Sequence, residues 1–255
     1  MYKDDLELVG RAAVNKVSVL HTNPMAYIMS ALLAGMFVGL GCIFMGVTAS
    51  YLDAAGSAYT KLVSGLVFSI GLCCITAAGA ELFTGNNFVM VVGSLERKVP
   101  WKNTIKLWLV CYLGNLVGSV ILALIFRLTD ISMSAPVNAF FVNAAIAKVT
   151  ASPVTLLTKG ILCNLLVCLA VWCSFRLKSE VAKLLMNFCC ITAFVACGFE
   201  HSVGNMTFIT IAMLSQTTAE ITLLGFIYNL SIVTLGNIIG GTIFIACPYF
   251  LTKTK

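Results

Sequence analysis

The stretch GAELFTGNNF, residues 79–88, decides how this sequence is interpreted. It lies inside an apolar run from about Gly65 to Gly93, yet it contains a glutamate and a Thr-Gly-Asn-Asn segment that loosens a helix. Non-helical backbone at membrane depth is tolerated only where protein buries it or water reaches it. The stretch therefore predicts a transmembrane helix that is broken near a buried or water-lined site.

The composition assigns the chain to the membrane proteins. Of 255 residues, 60% are hydrophobic and 10% are charged, whereas soluble domains carry about 25% charged residues. No cleavable signal peptide is expected, because the N-terminus is polar and mixed in charge. We expect one all-α transmembrane domain over residues 1–255. Its first part, residues 1–23, is expected to be an amphipathic cytoplasmic segment. Apolar runs of bilayer-spanning length, about 20 residues, occur six times, at roughly 26–50, 65–93, 104–126, 156–175, 184–213 and 224–250.

The basic residues predict the orientation. Most of the 16 lysines and arginines lie in the N-terminal segment, the connections after spans two and four, and the tail. Only Lys61, Arg127, Lys148 and Lys159 would lie on the other side, so the positive-inside rule makes both termini cytoplasmic. Topology and anionic lipids then account for the net charge of +6 without a nucleic acid partner. The 11 cysteines include no Cys-x-x-Cys pair, and we expect neither a metal site nor a cofactor.

An internal repeat links the first stretch to a second one. The pattern E-x-x-x-G-N at 81–86 recurs at 200–205, and LGNLVGSVI (113–121) recurs as LGNIIGGTI (235–243). Each repeat, about 26–126 and about 156–250, contains three spans. An odd number of spans inverts the second repeat relative to the first. Two broken helices would then face each other near the middle of the membrane, which is typical of solute-conducting proteins.

The repeated LGNxxG segments are interpreted as sites of helix packing and not as part of the conducting site. Small residues at this spacing let membrane helices approach closely. Asn115 and Asn237 would form hydrogen bonds between those helices. The glycines assigned to this packing are Gly114, Gly118, Gly236 and Gly240.

Five ionisable side chains have candidate roles. Glu81 and Glu200, the acids within spans, are expected to bond to loop N–H groups or asparagine amides and so to support the breaks. His201 is the histidine within a span, and its titration near neutral pH suits it to donate or relay a proton. Lys148 could extend to water or set a positive potential. Lys16 is interpreted as a membrane-surface charge.

Three motifs together resemble the formate/nitrite transporter family, and most closely its hydrosulfide channel branch. They are GAELFTGNN in span two, KGILCNLLVCLAVW (159–172) in span four and GFEHSVGNM (198–206) in span five. The resemblance covers nearly the whole chain. It implies an aquaporin-like fold with six transmembrane helices, an inverted repeat and two broken helices. It also implies a homopentamer with one pore per protomer in a bacterial inner membrane.

The resemblance also assigns pore residues. Thr84 would belong to the loop that breaks span two, His201 would be the central pore histidine, and Lys148 would polarise the approach to it. Asn164 and Asn205 would be polar pore residues. One apolar constriction would be formed by Leu82, Phe83 and Val167, and the other by Phe68, Leu72 and Phe194.

The predicted function is a channel or facilitator, not an enzyme, for small monovalent anions of weak acids such as hydrosulfide, formate and nitrite. An aquaporin-like channel for neutral solutes is the alternative, although Asn-Pro-Ala is missing from both breaks. An ammonium channel would need a second pore histidine. A membrane-embedded enzyme would need a metal set or a nucleophile–base pair, and the sequence suggests neither.

Overall fold

The computed structural model describes residues 2–215 and 221–253, and within these ranges the chain forms helices and no β-strand. Five segments are long and apolar enough to cross a membrane: Pro24–Ala54, Thr60–Ala78, Trp101–Arg127, Pro153–Arg176 and Leu223–Leu251. The run predicted at 184–213 consists instead of two shorter helices with a break between them.

Thirteen α-helices follow one another along the described chain, and a π-helical turn at Thr242–Ala246 separates the last two. In chain order they are α1 Lys3–Thr22, α2 Pro24–Ala54, α3 Thr60–Phe68, α4 Ile70–Ala78, α5 Phe83–Leu95, α6 Trp101–Arg127, α7 Asp130–Met133, α8 Ala135–Thr150, α9 Pro153–Arg176, α10 Glu180–Ala196, α11 Ser202–Leu214, α12 Leu223–Gly241 and α13 Cys247–Leu251.

The helices α2 and α9 begin in the same way. Asn23 and Ser152 each accept a hydrogen bond from a backbone N–H three residues later, and a proline follows each of them. A side-chain acceptor at the N-cap and proline at the first helical position are strong start signals. The equivalent starts of these two helices support the division of the chain into two related halves.

Both predicted breaks are present. The helix α4 ends at Ala78 and α10 ends at Ala196, and Gly79 and Gly198, which follow them, have backbone φ angles of 77° and 70°. Glycine adopts such angles without the steric cost that other residues incur. The chain then runs extended for a few residues before α5 and α11 begin, so residues 79–82 and 197–201 interrupt the two spans.

The LGNxxG glycines lie where helices touch, as the sequence predicts. A Cβ on Gly118 would collide with the Leu32 carbonyl of α2, and one on Gly240 would collide with the Ile161 carbonyl of α9. The helix α6 therefore packs closely on α2, and α12 packs closely on α9. Glycine at these contacts allows the backbones to approach, which is the usual basis of helix association in membranes.

Two further helices lie beside the broken ones. The N-terminal α1 packs against α5, and α8 packs against α11. The helix α8 covers most of the connection 127–155, where the sequence predicts a short, partly buried helix. The two ends of the described chain lie together, because the ring of Tyr2 contacts that of Tyr249. We call the face that carries them the near face. The opposite face is the far face.

Candidate functional site

The first break is held in place by Asn115 of α6. Its Oδ1 accepts the N–H of Phe83, at the start of α5, at 2.9 Å. Its Nδ2 donates to the carbonyl groups of Ala31 at 2.7 Å and Glu81 at 2.9 Å. The Glu81 N–H donates to the Ser30 carbonyl at 3.2 Å. The extended backbone thus finds partners that a helix would otherwise supply.

The second break has the same arrangement. Asn237 Oδ1 accepts the Ser202 N–H, at the start of α11, at 2.9 Å. Its Nδ2 donates to the carbonyl groups of Gly160 at 2.8 Å and Glu200 at 3.0 Å. The Glu200 N–H donates to the Lys159 carbonyl at 3.3 Å. Each of these four contacts of the first break therefore has a counterpart in the second.

These contacts extend what the sequence indicates for Asn115 and Asn237. Both side chains do bond to a neighbouring helix, through the carbonyl groups of Ala31 and Gly160. They also cap the second half of each broken helix, a role that the sequence reasoning missed. The signal was the repetition of LGN itself, because glycine packing alone does not require an asparagine beside it.

Glu81 lies within the first break, and its carboxylate has three side-chain partners. It accepts from Lys16 Nζ at 2.5 Å, from Tyr27 Oη at 3.1 Å and from Asn86 Nδ2 at 3.0 Å. The asparagine amide is a partner of the expected kind. The interpretation of Lys16 as a membrane-surface charge is wrong, because its ammonium group forms an ion pair within the protein.

Glu200 lies within the second break, and a lysine and an asparagine bond to its carboxylate as they do to that of Glu81. It accepts from Lys148 Nζ at 2.9 and 3.0 Å and from Asn205 Nδ2 at 2.6 Å. Asn205 also donates to Asn229 Oδ1 at 2.8 Å. Each broken helix thus has a glutamate, an asparagine and a lysine in contact.

The two lysines occupy equivalent positions in equivalent helices. Lys16 belongs to AAVNKV (12–17) of α1, and Lys148 belongs to AAIAKV (144–149) of α8. The shared A-A-x-x-K-V pattern was the sequence signal that could have found this pair. The correspondence between the two halves of the chain therefore extends to the helices before about 26 and 156 that carry these lysines.

Thr84 and His201 connect the two breaks. Thr84 Oγ1 and His201 Nε2 are 3.0 Å apart, and His201 Nδ1 accepts the Gly204 N–H at 3.0 Å. Since Nδ1 is an acceptor, the neutral ring carries its proton on Nε2 and donates it to Thr84. Thr84 was expected in the loop, but it lies in the first turn of α5, directly after Phe83. It is fully buried.

Two cavities approach this hydrogen bond from opposite faces. The near cavity, of about 390 Å³, is lined by Lys16, Glu81 and Leu82 among others. The far cavity, of about 180 Å³, is lined by Lys148 and His201 among others. The two share no lining residue in the part of the chain that the structure describes. The site is therefore a pair of separate chambers.

The chambers are built from equivalent positions. Nine residues of the near cavity have counterparts 119 positions later in the far cavity. The chemistry of the two differs at one of these pairs above all, because His201 stands where the near cavity has Leu82. The near-cavity residues are Ile75, Thr76, Gly79, Ala80, Glu81, Leu82, Gly85, Asn86 and Val89, and their counterparts are Phe194, Val195, Gly198, Phe199, Glu200, His201, Gly204, Asn205 and Phe208.

The structure distributes the predicted constriction residues over several places. Phe68 and Phe194 line the far cavity with their rings edge to face, 5.7 Å between centroids. Leu72 lines the near cavity together with Leu82. Phe83 lines neither cavity and packs edge to face on Tyr112 at 5.0 Å.

Val167 and Asn164 line neither of the two cavities. Both are buried on α9. Asn164 Nδ2 donates to the Thr84 carbonyl at 3.2 Å and to the Asn237 carbonyl at 2.7 Å. Asn164 therefore links the start of the helix after the first break to Asn237, which caps the helix after the second break.

An ionic cluster on the near face was not predicted. The carboxylate of Glu96, 2% exposed, is paired with Lys98 and Lys253. Burial raises the pKa of this carboxyl, but hydrogen bonds from the two lysines outweigh burial and hold its pKa below the usual value. The cluster ties the tail of the chain to the segment that follows α5.

No group of three or more histidine, cysteine, aspartate or glutamate side chains is placed to hold a metal ion within residues 2–215 and 221–253. The cysteines are unpaired thiols, of which Cys42, Cys111, Cys163, Cys168 and Cys190 are buried. We assign no chemistry to them.

The family model described as formate/nitrite transporter matches residues 3–251. The nitrite transporter NirC of Escherichia coli (strain K12) is 35% identical over 260 residues, which cover 100% of this chain and 94% of NirC.

Two solved structures have the same fold. One, described as an FNT family ion channel, superposes with a TM-score of 0.90 at 33% identity and covers 98% of this chain and 99% of its own. Another, a pentameric formate channel with formate bound, has a TM-score of 0.79 at 30% identity and covers 89% and 96%. This chain is a multi-pass membrane protein that belongs to the formate/nitrite transporter family.

Proposed function

We propose that this protein is a membrane channel or facilitator that passes small monovalent anions of weak acids, such as hydrosulfide, formate and nitrite, down their gradients. The observation that carries the proposal is the pair of equivalent cavities. Each holds a lysine–glutamate pair, and the Thr84–His201 hydrogen bond lies between them. The names of the similar proteins, a nitrite transporter and a formate channel, support this class of solute.

The proposed architecture has six membrane crossings and an inverted, aquaporin-like repeat with two broken helices. Both termini are cytoplasmic in a bacterial inner membrane, so that the near cavity opens to the cytoplasm and the far cavity to the outside. The similar formate channel is pentameric, which supports a homopentamer with one pore per protomer. The assignment to the hydrosulfide branch stays a prediction from sequence motifs.

The lysines and the broken helices attract the anion. Lys16 and Lys148 place an ammonium group in the near and far cavities, each partly balanced by its glutamate. The helices α5 and α11 begin beside the same cavities, and a helix N-terminus carries a partial positive charge. Glu81 and Glu200 hold the lysines in place and brace the breaks.

His201 acts in this proposal as a fixed hydrogen-bond donor. Its Nδ1 already accepts the Gly204 N–H, so uptake of a second proton would break that bond. The Nε2 proton is donated to Thr84 Oγ1, which leaves the threonine hydroxyl proton free to point at an anion. The geometry therefore favours hydrogen-bond donation through Thr84 over a proton relay through the imidazole.

The apolar residues on either side favour the neutral form of the solute. Burying an unpaired charge is expensive, so the solute passes as its conjugate acid after taking a proton from water in the cavity. Phe68 with Phe194 would form the far constriction, and Leu72 with Leu82 the near one. Phe83 and Val167 stay predictions as constriction residues, and Asn164 and Asn205 stay predictions as polar pore residues.

Flux measurements in proteoliposomes test the proposal. Wild type should pass hydrosulfide, formate and nitrite with rates that rise as the pH falls, and should exclude chloride, the anion of a strong acid. Thr84→Val should lower these rates about tenfold, the loss expected for roughly 1.4 kcal/mol of barrier, whereas Thr210→Val on α11 should not. His201→Asn should lower the rate without changing its pH profile. Glycerol flux with no anion flux would establish the neutral-solute alternative instead.

A further inference from the structure

Three of the four basic residues that the charge distribution assigns away from the chain ends converge on one place. Lys61, Lys148 and Lys159 line a cavity of about 460 Å³ that continues from the far cavity, and we call it the far mouth. The fourth, Arg127, instead donates from Nε to the Leu214 carbonyl at 3.0 Å. The lysines that depart from the positive-inside pattern thus share a site.

In the described part of the chain, Lys61 and Lys159 differ from Lys148 in having no carboxylate partner. Among the described residues no carboxylate lies within 4.0 Å of either ammonium group, whereas Lys148 is paired with Glu200. Lys61 is exposed and Lys159 is half-buried. The carbonyl group of Lys159 accepts the Glu200 N–H, so its backbone is fixed at the rim of the second break.

Among its described lining residues, the near cavity has no lysine at the positions equivalent to Lys61 and Lys159. It therefore serves as a comparison for the effect of these two lysines. The position equivalent to Lys159 is Ser30, which lines the near cavity. The position equivalent to Lys61 is Glu180, whose side chain is 84% exposed and paired with Lys183. The near cavity is lined by one lysine and one carboxylate.

The described lining of the far cavity and far mouth has a net positive charge, although most basic residues of the chain lie on the near side. Among residues 2–215 and 221–253, the far cavity and far mouth are lined by three lysines and two carboxylates, Glu200 and Asp53. Charges of one sign at a low-dielectric opening concentrate counter-ions over about 8 Å at physiological salt. The described linings of the near and far cavities therefore differ in net charge.

We propose that Lys61 and Lys159 form an anion-collecting site at the far mouth, which captures a small monovalent anion before it reaches Lys148. The inference rests on the proposed function. A passive pore has the same permeability in both directions at low anion concentration. The site therefore changes the anion concentration at which flux from the far side is half-saturated, and not the direction of net flux. Anions that enter from the far side half-saturate the pore at a lower concentration than anions that enter from the near side.

Formate flux in proteoliposomes of uniform orientation tests this inference. An affinity tag at the C-terminus, on the near face, separates vesicles with that face outward from the remainder. In low salt, Lys61→Gln and Lys159→Gln should each raise the far-side half-saturation concentration roughly two- to threefold. This is the size of a Coulomb interaction between unit charges about 7 Å apart in water. The near-side value should stay unchanged.

Matched variants separate charge from structure. Lys61→Arg and Lys159→Arg should behave as wild type, and Asp53→Asn should lower the far-side value. Lys102→Gln, the same charge change at an exposed near-face position, should not alter it. The effects of all charge changes at the mouth should shrink in about 1 M salt, where the screening length is near 3 Å.

Four outcomes would refute either the proposed function or the anion-collecting site. No anion flux in wild type would refute the proposed function itself. Normal wild-type flux with unchanged far-side saturation in the double variant would refute only this inference. Equal changes from both sides, or changes insensitive to salt, would show a structural role and overturn it. An effect in vesicles that contain phosphatidylglycerol but not in pure phosphatidylcholine would show that the lysines bind lipid headgroups, which would also overturn it.

Discussion

Thr84 and His201 lie 117 residues apart in the sequence, and a 3.0 Å hydrogen bond joins Oγ1 of the first to Nε2 of the second. Thr84 is in the first turn of α5 and His201 directly precedes α11. The bond therefore forms only if both breaks adopt their observed shapes. A disturbance of either break should reach the same point, which makes this contact a sensitive reporter of the whole site.

The two nitrogens of His201 can be tested separately. Nδ1 caps α11 through the Gly204 N–H, and Nε2 bonds to Thr84. Asparagine is a strong N-cap residue but does not supply the Nε2 donor, so His201→Asn should keep the stability and lose flux. His201→Ala should lose both, at a cost of about 0.5–2 kcal/mol in the free energy of unfolding. Thermal or denaturant unfolding in detergent checks this. Equal stability losses in the two variants would contradict the capping role.

The capping asparagines should matter for stability as a matched pair. Replacing Asn115 or Asn237 with leucine leaves one N–H and two carbonyl groups without their partner. A buried unsatisfied polar group costs about 1–3 kcal/mol, so each variant should lose several kcal/mol. We expect similar losses because the contacts are equivalent.

The exposed Asn143 of α8 provides the control for that comparison. Asn143→Ala should change the free energy of unfolding by less than about 0.5 kcal/mol. Unfolding of the three proteins under one set of conditions gives the ranking. A loss confined to Asn115→Leu would show that the two breaks are not supported alike.

The Glu96 cluster predicts a pH dependence on the near face. The folded-state pKa of Glu96 is depressed by Lys253 and Lys98. A depressed carboxyl pKa stabilises the fold above the unfolded-state value, about 4.3. That stabilisation is lost as the pH falls through the lower folded-state pKa. The protection of the α13 amides, measured as the exchange rate relative to the intrinsic rate at each pH, should therefore fall in acid in wild type, and in Glu96→Gln it should be low at every pH. Wild-type protection that persists in acid would contradict this linkage.

The breaks were predictable from the sequence because their chemistry is local. E-x-x-x-G-N places a carboxylate, a glycine and an amide within a few residues, and it occurs twice. The composition and the spacing of the apolar runs indicate the membrane helices in the same way. These features depend on residues that are close in the chain, where patterns are readable.

The partners of the breaks were harder to predict because they come from distant helices. Lys16 reaches Glu81 across 65 positions, and Asn164 reaches Thr84 across 80. Nothing in the periodicity of α1 indicates that one face meets a broken span. Phe83 shows the same limit, since Leu82 directly before it lines the near cavity while the ring of Phe83 packs on Tyr112.

The ion pair between Lys16 and Glu81 leads to the last prediction. Their side chains are 20% and 17% exposed, so the pair is largely removed from water. Removing one partner of a buried pair leaves an uncompensated charge and costs about 3–5 kcal/mol. Lys16→Met should therefore destabilise the protein more than Lys16→Met combined with Glu81→Gln, in which no net charge is left behind.

A double-mutant cycle on the free energy of unfolding measures this coupling, and the exposed pair Lys183–Glu180 is its control. Exposed pairs typically contribute about 0.2–1 kcal/mol, so the control cycle should give a much smaller coupling energy. If the Lys16–Glu81 cycle gave the same small value, the near cavity would be hydrated well enough to solvate Glu81 without its lysine. In that case α1 would be held by its apolar contacts with α5, and Lys16 would be free to bind an incoming anion.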